Sequence, residues 1–455
     1  MNRIFSISGL LYVIIAVLII PLMADWPQFQ GPNRDGKAID QGIASNWPEN
    51  GPKELWSVPL GEGFAGPAIV DGEVYILDRI DSERDVLRCF DLTSGKQLWT
   101  YTNAAPGEAG FNGSRATPTV DENNVYVVGL MGDMLCVDRQ NHELVWKNNL
   151  IKDFDGRVSE WGVAQNPVVY KNLIIVAPHG PNSFVVALDK NTGKEIWRSP
   201  GLGGPAYSSP AIVTLGGTEQ VVMIAPPEYE EEDEEDEEDE QGSEQEEDED
   251  SEEENSEKEP PGKVAGISLE SGKILWTYQG WSCGIPIPFP IQLSENRLLV
   301  TGGYGAGSVM LQVTRSGPDF EVKELFRLDQ KDFGLQIHQP ILYKNHLYAN
   351  NNGNEHREGM TCLTLDGKVL WKTSDDRQLP RFERGNLLMA DGLIVNLDGK
   401  KGNLHLIEPS PEGYKELAQA KVLSGKMMWS PMAISDGKLL VRNQEEMKCL
   451  DLRNP

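Results

Sequence analysis

The sequence predicts an all-β protein: an eight-bladed β-propeller of four-stranded antiparallel blades, closed by pairing of the N- and C-terminal strands. Three observations support this prediction. A short motif ending in Trp recurs at a nearly constant interval. Each interval holds short apolar segments separated by Gly and Asn turns, which is typical of repeated β-strands. The two ends of the chain carry complementary halves of one further copy of the motif.

The motif is clearest in DLTSGKQLW, residues 91–99, and in DKNTGKEIW, residues 189–197. Eight positions mark its copies, the last in degenerate form: Trp56, Trp99, Trp146, Trp197, Trp276, Phe326, Trp371 and Ala418. The first four marks are separated by 43, 47 and 51 residues. A period of this size with four strands per unit is typical of a propeller blade, so eight marks predict eight blades.

Within each unit, a Pro precedes the first short strand, as in GPAIV, TPTV, NPVV and QPILY. A turn such as Asp71–Gly72 then leads into a second strand rich in β-branched and aromatic residues. A third strand ends near the Asp of the motif, and the TSGK or NTGK turn leads into a fourth strand that carries the Trp. The innermost strand of each blade is therefore expected to begin at the Pro.

The chain ends supply the closure of the ring. CLDLRNP at the C-terminus is the first half of the motif, and GPKELW, residues 51–56, is the second half. We therefore expect the propeller to span residues 52–455, with its eighth blade shared by residues 52–60 and 427–455. Pairing the two ends removes the exposed strand edges of an open array.

Six tryptophans are predicted to dock each blade against its neighbour: Trp56, Trp99, Trp146, Trp197, Trp276 and Trp371. The residue two positions before the motif Asp is small, which leaves room for an indole; Cys89, Cys136 and Ala187 are examples. A buried Trp covers about 200 Å² of surface. The motif therefore indicates a structural role and not a catalytic one.

Residues 1–24 have the pattern of a secretory signal peptide, because Arg3 precedes an apolar run that extends to Leu22. Ala24 is the candidate cleavage residue, and an uncleaved membrane anchor is the alternative. Residues 25–51 are an N-terminal extension. The prediction is export to the periplasm or the extracellular space, with membrane contact only through an uncleaved signal segment.

The formal net charge of −29 is concentrated in residues 228–259, which hold 23 Asp and Glu residues and one Lys. This segment has almost nothing apolar to bury and repels itself, so it is predicted to be a disordered insertion in the fourth blade. A solubility or spacing role is the simplest interpretation; weak calcium buffering and docking to a basic partner are alternatives. The remaining chain has no basic surface, which argues against nucleic-acid binding.

The sequence offers little that would support catalysis. Its five Cys include no adjacent pair and no CxxC, and we expect them to be buried packing residues. None of the six His has a metal-binding spacing. The Gly-rich TGGYGAGS, residues 301–308, is not followed by the Lys of a phosphate-binding loop, so a turn or bulge is predicted there.

ALDKNTGKEIW, residues 187–197, resembles the tryptophan-docking motif of PQQ-type, or quinoprotein, eight-bladed propellers. That family includes quinoprotein dehydrogenases and non-enzymatic relatives such as the BamB-type outer-membrane assembly propellers. DWPQFQGPNRDG, residues 25–36, is similar to the opening of exported bacterial PQQ-like repeat proteins. The resemblance implies fold and export but not chemistry.

Quinoprotein dehydrogenases carry a vicinal Cys pair against the cofactor and acidic calcium ligands beside it. This sequence has no such pair, and we match the calcium ligands and the catalytic Asp to none of its positions. We therefore expect no catalytic residue, no metal and no cofactor, with PQQ and Ca²⁺ as the alternative. The predicted function is that of a monomeric, non-catalytic binding or scaffold protein in the cell envelope. The alternatives are a quinoprotein-like oxidoreductase with an atypical site and a subunit of an outer-membrane protein assembly complex.

The residues just before each innermost strand should converge on one mouth of the central channel. The candidate ligand-binding residues there are Arg115, Gln165, Tyr207, His338, Gln339, Arg384 and Trp429. Arg115 and Arg384 would be the anchors for an anion. The predicted partner is an envelope protein or a small ligand at this face; the alternative is that these side chains only hold channel waters and backbone groups.

Overall fold

Eight sheets, each of four antiparallel strands, form the ring in the computed structural model, which describes residues 24–228, 262–352 and 357–453. The predicted eight-bladed propeller is thereby confirmed. The predicted signal segment, apart from Ala24, and the acidic segment, apart from Glu228, lie outside the described residues.

The strands follow one another from the channel outward in each blade. The outermost strand of the last blade comes first in the chain, as β1 (Lys53–Pro59). Blade 1 is β2 (Ala68–Val70), β3 (Glu73–Ile80), β4 (Arg84–Asp91) and β5 (Gln97–Ala104). Blade 2 is β6 (Thr119–Val120), β7 (Asn124–Val128), β8 (Asp133–Asp138) and β9 (Leu144–Asn149). Blade 3 is β10 (Val168–Tyr170), β11 (Leu173–Val176), β12 (Val186–Asp189) and β13 (Glu195–Arg198). Blade 4 is β14 (Ala211–Leu215), β15 (Thr218–Ala225), β16 (Lys263–Ser268) and β17 (Ile274–Tyr278).

The second half of the ring repeats this order. Blade 5 is β18 (Ile291–Ser294), β19 (Arg297–Gly302), β20 (Gly307–Ser316) and β21 (Asp319–Leu328). Blade 6 is β22 (Ile341–Tyr343), β23 (His346–Asn352), β24 (Arg357–Thr364) and β25 (Val369–Lys372). Blade 7 is β26 (Asn386–Ala390), β27 (Leu393–Leu397), β28 (Asn403–Ile407) and β29 (Glu416–Lys421). Blade 8 joins β30 (Ala433–Ser435), β31 (Lys438–Arg442) and β32 (Glu446–Asp451) to β1.

In residues 24–228, 262–352 and 357–453, helical structure is confined to short pieces. They are α1 (Gln330–Phe333) and a 3₁₀ turn, Thr373–Asp375. Within the described ranges, no helix has both the length and the apolar character needed to cross a bilayer.

Ring closure occurs where the chain ends meet. β1 pairs antiparallel with β32, so that Lys53 lies opposite Asp451 and Trp56 lies opposite Cys449. The sheet order β1-β32-β31-β30 confirms the predicted pairing of the N- and C-terminal strands.

Each motif aromatic lies opposite a fixed position of the neighbouring strand. Trp99 lies opposite Cys89, and Trp276 lies opposite Gly266. In both strand pairs the register shifts beside the Trp, so the residue before the Trp bulges outward. This explains why apolar residues such as Leu98 remain exposed on the outermost strands.

The indoles then contact the next blade. The Nε1–H groups of Trp56, Trp146 and Trp197 donate to the carbonyls of Leu92, Lys190 and Leu269 at 2.9, 2.9 and 2.8 Å. Trp371 likewise donates to Ser410 at 2.9 Å. Two indoles differ: that of Trp99 stacks on His142, and that of Trp276 donates to Gln220 of its own blade. The apolar clusters draw residues from adjacent blades, so the core lies between blades.

The N-terminal extension runs along the channel wall, a placement that the sequence analysis did not predict. Trp26 exchanges two backbone hydrogen bonds of 2.8 Å with Ile69 on β2. Gly36 and Ala38 make corresponding bonds to Met389 on β26. These bonds satisfy the inner edges of β2 and β26, which would otherwise lie open to the channel.

Candidate functional site: a cavity at one mouth of the channel

A cavity of about 260 Å³ lies at the mouth where the innermost strands begin. The loops that precede these strands all reach this face, because the innermost strands run in the same direction through the ring. The lining residues are Phe29, Phe64, Phe111, Arg115, Trp161, Ala164, Asn166, Tyr207, Ser209, Ile287, Tyr304, Gln336, Ile337, His338, Arg384, Trp429 and Pro431. Aromatic side chains therefore supply much of the wall.

The aromatic rings contact one another around the cavity. Phe64 stacks on Trp429 with ring centres 5.7 Å apart, and Trp161 stacks on Tyr207 at 5.1 Å. Phe111 connects the two stacks, because its edge meets Trp161 at 6.3 Å and Trp429 at 6.1 Å. The result is a continuous arc of ring surfaces, which favours flat apolar groups.

Arg115 is held rigidly at this arc. Its Nε donates to the carbonyl of Trp161 at 2.6 Å, and one terminal nitrogen donates to the carbonyls of Gly110 and Phe111. Its guanidinium also lies over the Phe64 ring, 4.9 Å from the centre. Burial lowers the pKa of Arg115 to about 10, so the group remains a cation at neutral pH.

Arg384 approaches from the opposite side of the cavity. Its guanidinium lies 4.8 Å from the ring centre of Trp429, and its Nε donates to the side-chain oxygen of Gln336 at 3.1 Å. One terminal nitrogen lies 3.9 Å from a carboxylate oxygen of Glu383. The Arg384 backbone has φ of 47°, in the left-handed region that costs energy for a residue with a side chain.

His338 holds the Arg384 backbone in this conformation. The amide nitrogen of Asn386 lies 3.1 Å from Nδ1 of His338, and Nε2 lies 3.2 Å from the Arg384 carbonyl. Because Nδ1 accepts, Nε2 carries the proton and donates it to that carbonyl. Burial lowers the pKa of His338 to about 4, so the ring is neutral at neutral pH. His338 therefore positions Arg384 and adds no charge.

The lining carries two arginines and no carboxylate. Glu383 lies behind Arg384 and also pairs with Arg357 at 3.1 Å and Lys400 at 3.3 Å. In the described part of the chain, Arg115 forms no ion pair. The lining side chains therefore carry a net positive charge, while burial, together with the nearby carboxylate of Glu160, raises the pKa of Tyr207 and of Tyr304.

The structure brings five of the seven predicted ligand-binding residues to this wall: Arg115, Tyr207, His338, Arg384 and Trp429. The other two, Gln165 and Gln339, do not line it. The Gln165 amide pairs with the backbone N–H and C=O of Ala177. The Gln339 amide faces the backbone of Phe289, which it can pair at 2.7 and 3.2 Å. Both side-chain amides thus serve as hydrogen-bond partners for backbone groups of the loops.

The lining also includes residues that the sequence pattern did not indicate, among them Phe29, Phe111, Ile287, Tyr304 and Gln336. Tyr304 lies in TGGYGAGS, the loop between β19 and β20, and such loops also reach the cavity face. Phe29 comes from the extension, for which the repeat gives no position. Phe111 and Tyr304 have φ of 56° and 54°, so with Arg384 three lining residues occupy the left-handed region. Backbone strain of this kind often accumulates at functional sites.

The donor groups present do not fit a calcium-bound quinone cofactor. Residues 24–228, 262–352 and 357–453 contain no group of three His, Cys, Asp or Glu side chains that could hold a metal ion. The five Cys are buried and separate from one another. A Ca²⁺ site requires oxygen ligands, usually carboxylates, whereas the side-chain oxygens of this lining belong to amides and hydroxyls.

A family model described as outer membrane protein assembly factor BamB matches residues 46–180 and 83–282. The 1-butanol dehydrogenase (cytochrome c) of Thauera butanivorans is 29% identical over 178 residues, 36% of this chain and 25% of the relative. The quinohemoprotein alcohol dehydrogenase of Comamonas testosteroni is 25% identical over 185 residues, 38% of this chain and 25% of the relative. The chain thus matches about a quarter of the length of these two relatives.

Solved structures share the fold. A europium-containing methanol dehydrogenase superposes with a TM-score of 0.61 at 13% identity, covering 92% of this chain and 89% of that one. BamB from Moraxella catarrhalis superposes with a TM-score of 0.54 at 11% identity, covering 87% of this chain and 96% of that one. At these identities the likeness shows the propeller architecture alone.

Proposed function

This chain belongs to the PQQ-like β-propeller family, and from that premise we propose that it is a non-catalytic binding protein of the cell envelope. The observation that carries the proposal is the cavity itself: a rigid aromatic wall with two arginines and no carboxylate. Such a wall can hold a ligand; it carries no carboxylate, and both ring nitrogens of its histidine, His338, are already bound to Arg384 and Asn386.

Export and a monomeric state belong to the same proposal. The signal-like residues 1–24 and the description of the matching family model support an envelope location. Pairing of β1 with β32 closes the ring within a single chain, which supports a monomer. The partner is an envelope protein or a small ligand at the cavity face, and the mildly acidic propeller offers no surface for nucleic acid.

The direct test is capture from an envelope extract with the full-length exported protein as bait. The matched control is a Trp429→Ala variant, which removes one ring of the arc while the docking tryptophans stay in place. We expect the wild type to retain a ligand or protein that the variant loses. Retention of the same set by both proteins would contradict a binding role for the cavity.

A quinoprotein-like oxidoreductase is the second candidate, and similarity to two alcohol dehydrogenases supports it. Purified protein is mixed with PQQ and Ca²⁺ and supplied with an alcohol and a redox dye. Saturable PQQ binding with dye reduction would establish the oxidoreductase and overturn the non-catalytic proposal.

A subunit of an outer-membrane protein assembly complex is the third candidate, supported by the BamB description of the family model. It predicts stable co-purification with other envelope proteins after mild solubilisation. The Trp429→Ala control separates it from the cavity proposal, because an assembly contact made through the outer blade surfaces would survive the substitution.

A further inference from the structure

We propose that the cavity binds an aromatic carboxylate, a ligand in which a flat ring carries a carboxylate group, held by arginine instead of a metal ion. This inference rests on the proposed binding function and specifies its ligand class. Three features of the site carry it: the ring surfaces, the fixed cation, and the closed lower end of the cavity.

The ring surfaces select a flat apolar group. Trp161 and Trp429 are the centres of two stacks that Phe111 connects, so the wall presents aromatic faces and edges over a continuous arc. A further ring can stack against such a wall or meet it edge-on, which stabilises aromatic pairs beyond simple burial. A cavity of about 260 Å³ suits a ligand of one or two rings.

Arg115 supplies the anion site. Its Nε and one terminal nitrogen are bound to backbone carbonyls, which fixes the guanidinium plane without neutralising its charge. Among the described residues, the hydrogen bonds of Arg115 are made by Nε and Nη2 and none by Nη1, and the residue lines the cavity. A fixed guanidinium in apolar surroundings suits a carboxylate, because the ordering of the side chain is already complete. Arg384 adds positive potential on the other side.

The lower end of the cavity is closed by the N-terminal extension. Phe29 lines the cavity and meets Phe289 edge-on, with ring centres 6.1 Å apart. Arg34 lies beneath, 4.5 Å from the centre of the same Phe289 ring, and donates to the Pro210 carbonyl at 2.8 Å. Because these side chains occupy the inner end of the cavity, the site suits a ligand that enters from the mouth, a small molecule or the C-terminal residue of a peptide.

Calorimetric titration with three matched probes tests the ligand class. Phenylacetate has both the ring and the charge, phenylacetamide keeps the ring without the charge, and cyclohexylacetate keeps the charge without the flat ring. We expect phenylacetate to bind about tenfold or more tightly than phenylacetamide, the size of one hydrogen bond to a charged group. Its affinity should also exceed that of cyclohexylacetate and fall with added salt.

Charge variants test the site. Arg115→Gln should weaken phenylacetate binding about tenfold or more, and Arg115→Lys should recover part of that loss. Arg315→Gln is the matched control, because Arg315 is exposed near the end of β20, beside the turn into β21 at the opposite face of the ring. It should leave the affinity unchanged. Near-ultraviolet circular dichroism checks that the Arg115 variants keep the aromatic packing.

Two peptides distinguish the source of the carboxylate. The affinity of N-acetyl-Gly-Gly-Phe with a free carboxylate is compared with that of its amide, which tests whether the site binds the C-terminus of a peptide. Binding of phenylacetate tests whether the site binds a free small acid. Binding of either acid supports the inference. Equal affinity for phenylacetate and phenylacetamide would overturn it, as would an equal loss in Arg315→Gln. If none of the probes binds while the wild type still retains its envelope partner, the inference fails and the binding function stands.

Discussion

At the scale of single residues, the glycine of the repeated turn acts together with the tryptophan of the preceding blade. Gly193 has φ of +69°, and a Cβ there would lie 2.7 Å from the Trp146 ring. Gly193→Ala should therefore lower the free energy of unfolding by about 2–4 kcal/mol, combining backbone strain with a steric clash. Urea unfolding followed by tryptophan fluorescence measures the change.

Gly217→Ala is the control for the backbone contribution. Gly217 has φ of +72°, but a Cβ there would meet no atom within 4 Å. Its substitution should cost only about 1–2 kcal/mol of strain. If the two variants lost equal stability, the close contact of the indole with the turn would contribute nothing, and the docking role of Trp146 would be wrong.

The cysteines are packing residues in the structure, and their reactivity should reflect this. All five thiols are free and buried. Burial raises the pKa of Cys136, Cys283 and Cys449 to about 12 and that of Cys362 to about 11. A chromogenic disulfide reagent at pH 8 should leave the native protein unmodified and should titrate five thiols after denaturation. A thiol that reacts rapidly in the native state would contradict this packing.

At the scale of elements, the acidic segment interrupts a hairpin whose two ends already meet. Ala225 on β15 pairs with Lys263 on β16, and a side chain at Gly262 would lie 3.0 Å from Pro227. Replacing residues 229–261 by two glycines should therefore shift the melting temperature by less than about 2 °C, since a shorter loop costs less closure entropy. Scanning calorimetry measures it. A fall of more than about 5 °C would show that the segment contributes to the folded ring.

The repeat predicts the strands and blades well, because the strand and turn signals lie close together in the sequence of each unit. The spacing of the tryptophans predicted the blade count, and the Pro near the start of the innermost strands, present in every blade except that of β26, indicated the face on which Arg115 lies. Periodicity does not specify which side chains turn toward the cavity: Gln165 occupies the predicted loop but pairs with the Ala177 backbone. Phe29 belongs to the extension, whose position depends on long-range pairing with β2 and β26 and on no repeat signal.

At the scale of the whole molecule, stability depends on interfaces between blades, and some of these enclose titratable groups. His179 and His338 are both buried, and burial lowers their pKa values from 6.5 to about 3 and about 4. In the unfolded chain, each of these imidazoles takes up a proton near pH 6.5. In the folded protein, each imidazole stays neutral until the pH approaches its lowered pKa. Folding is therefore progressively disfavoured as the pH falls from about 6.5 to about 4.

His179→Asn isolates this effect, because Asn does not titrate and tolerates the left-handed backbone of His179, where φ is +60°. Among the described residues, neither ring nitrogen of His179 has a hydrogen-bond partner, so the substitution breaks no hydrogen bond found there. Between pH 7 and pH 4 the wild type should lose about 3 kcal/mol more unfolding free energy than the variant. The raised pKa values of Asp40 and Asp85 act in the opposite direction, but they are common to both proteins and cancel in the difference.

Urea titrations at each pH give the unfolding free energies of the wild type and the variant as two curves. Parallel curves would mean that His179 is protonated in the folded ring, and that the interface behind it admits water and charge.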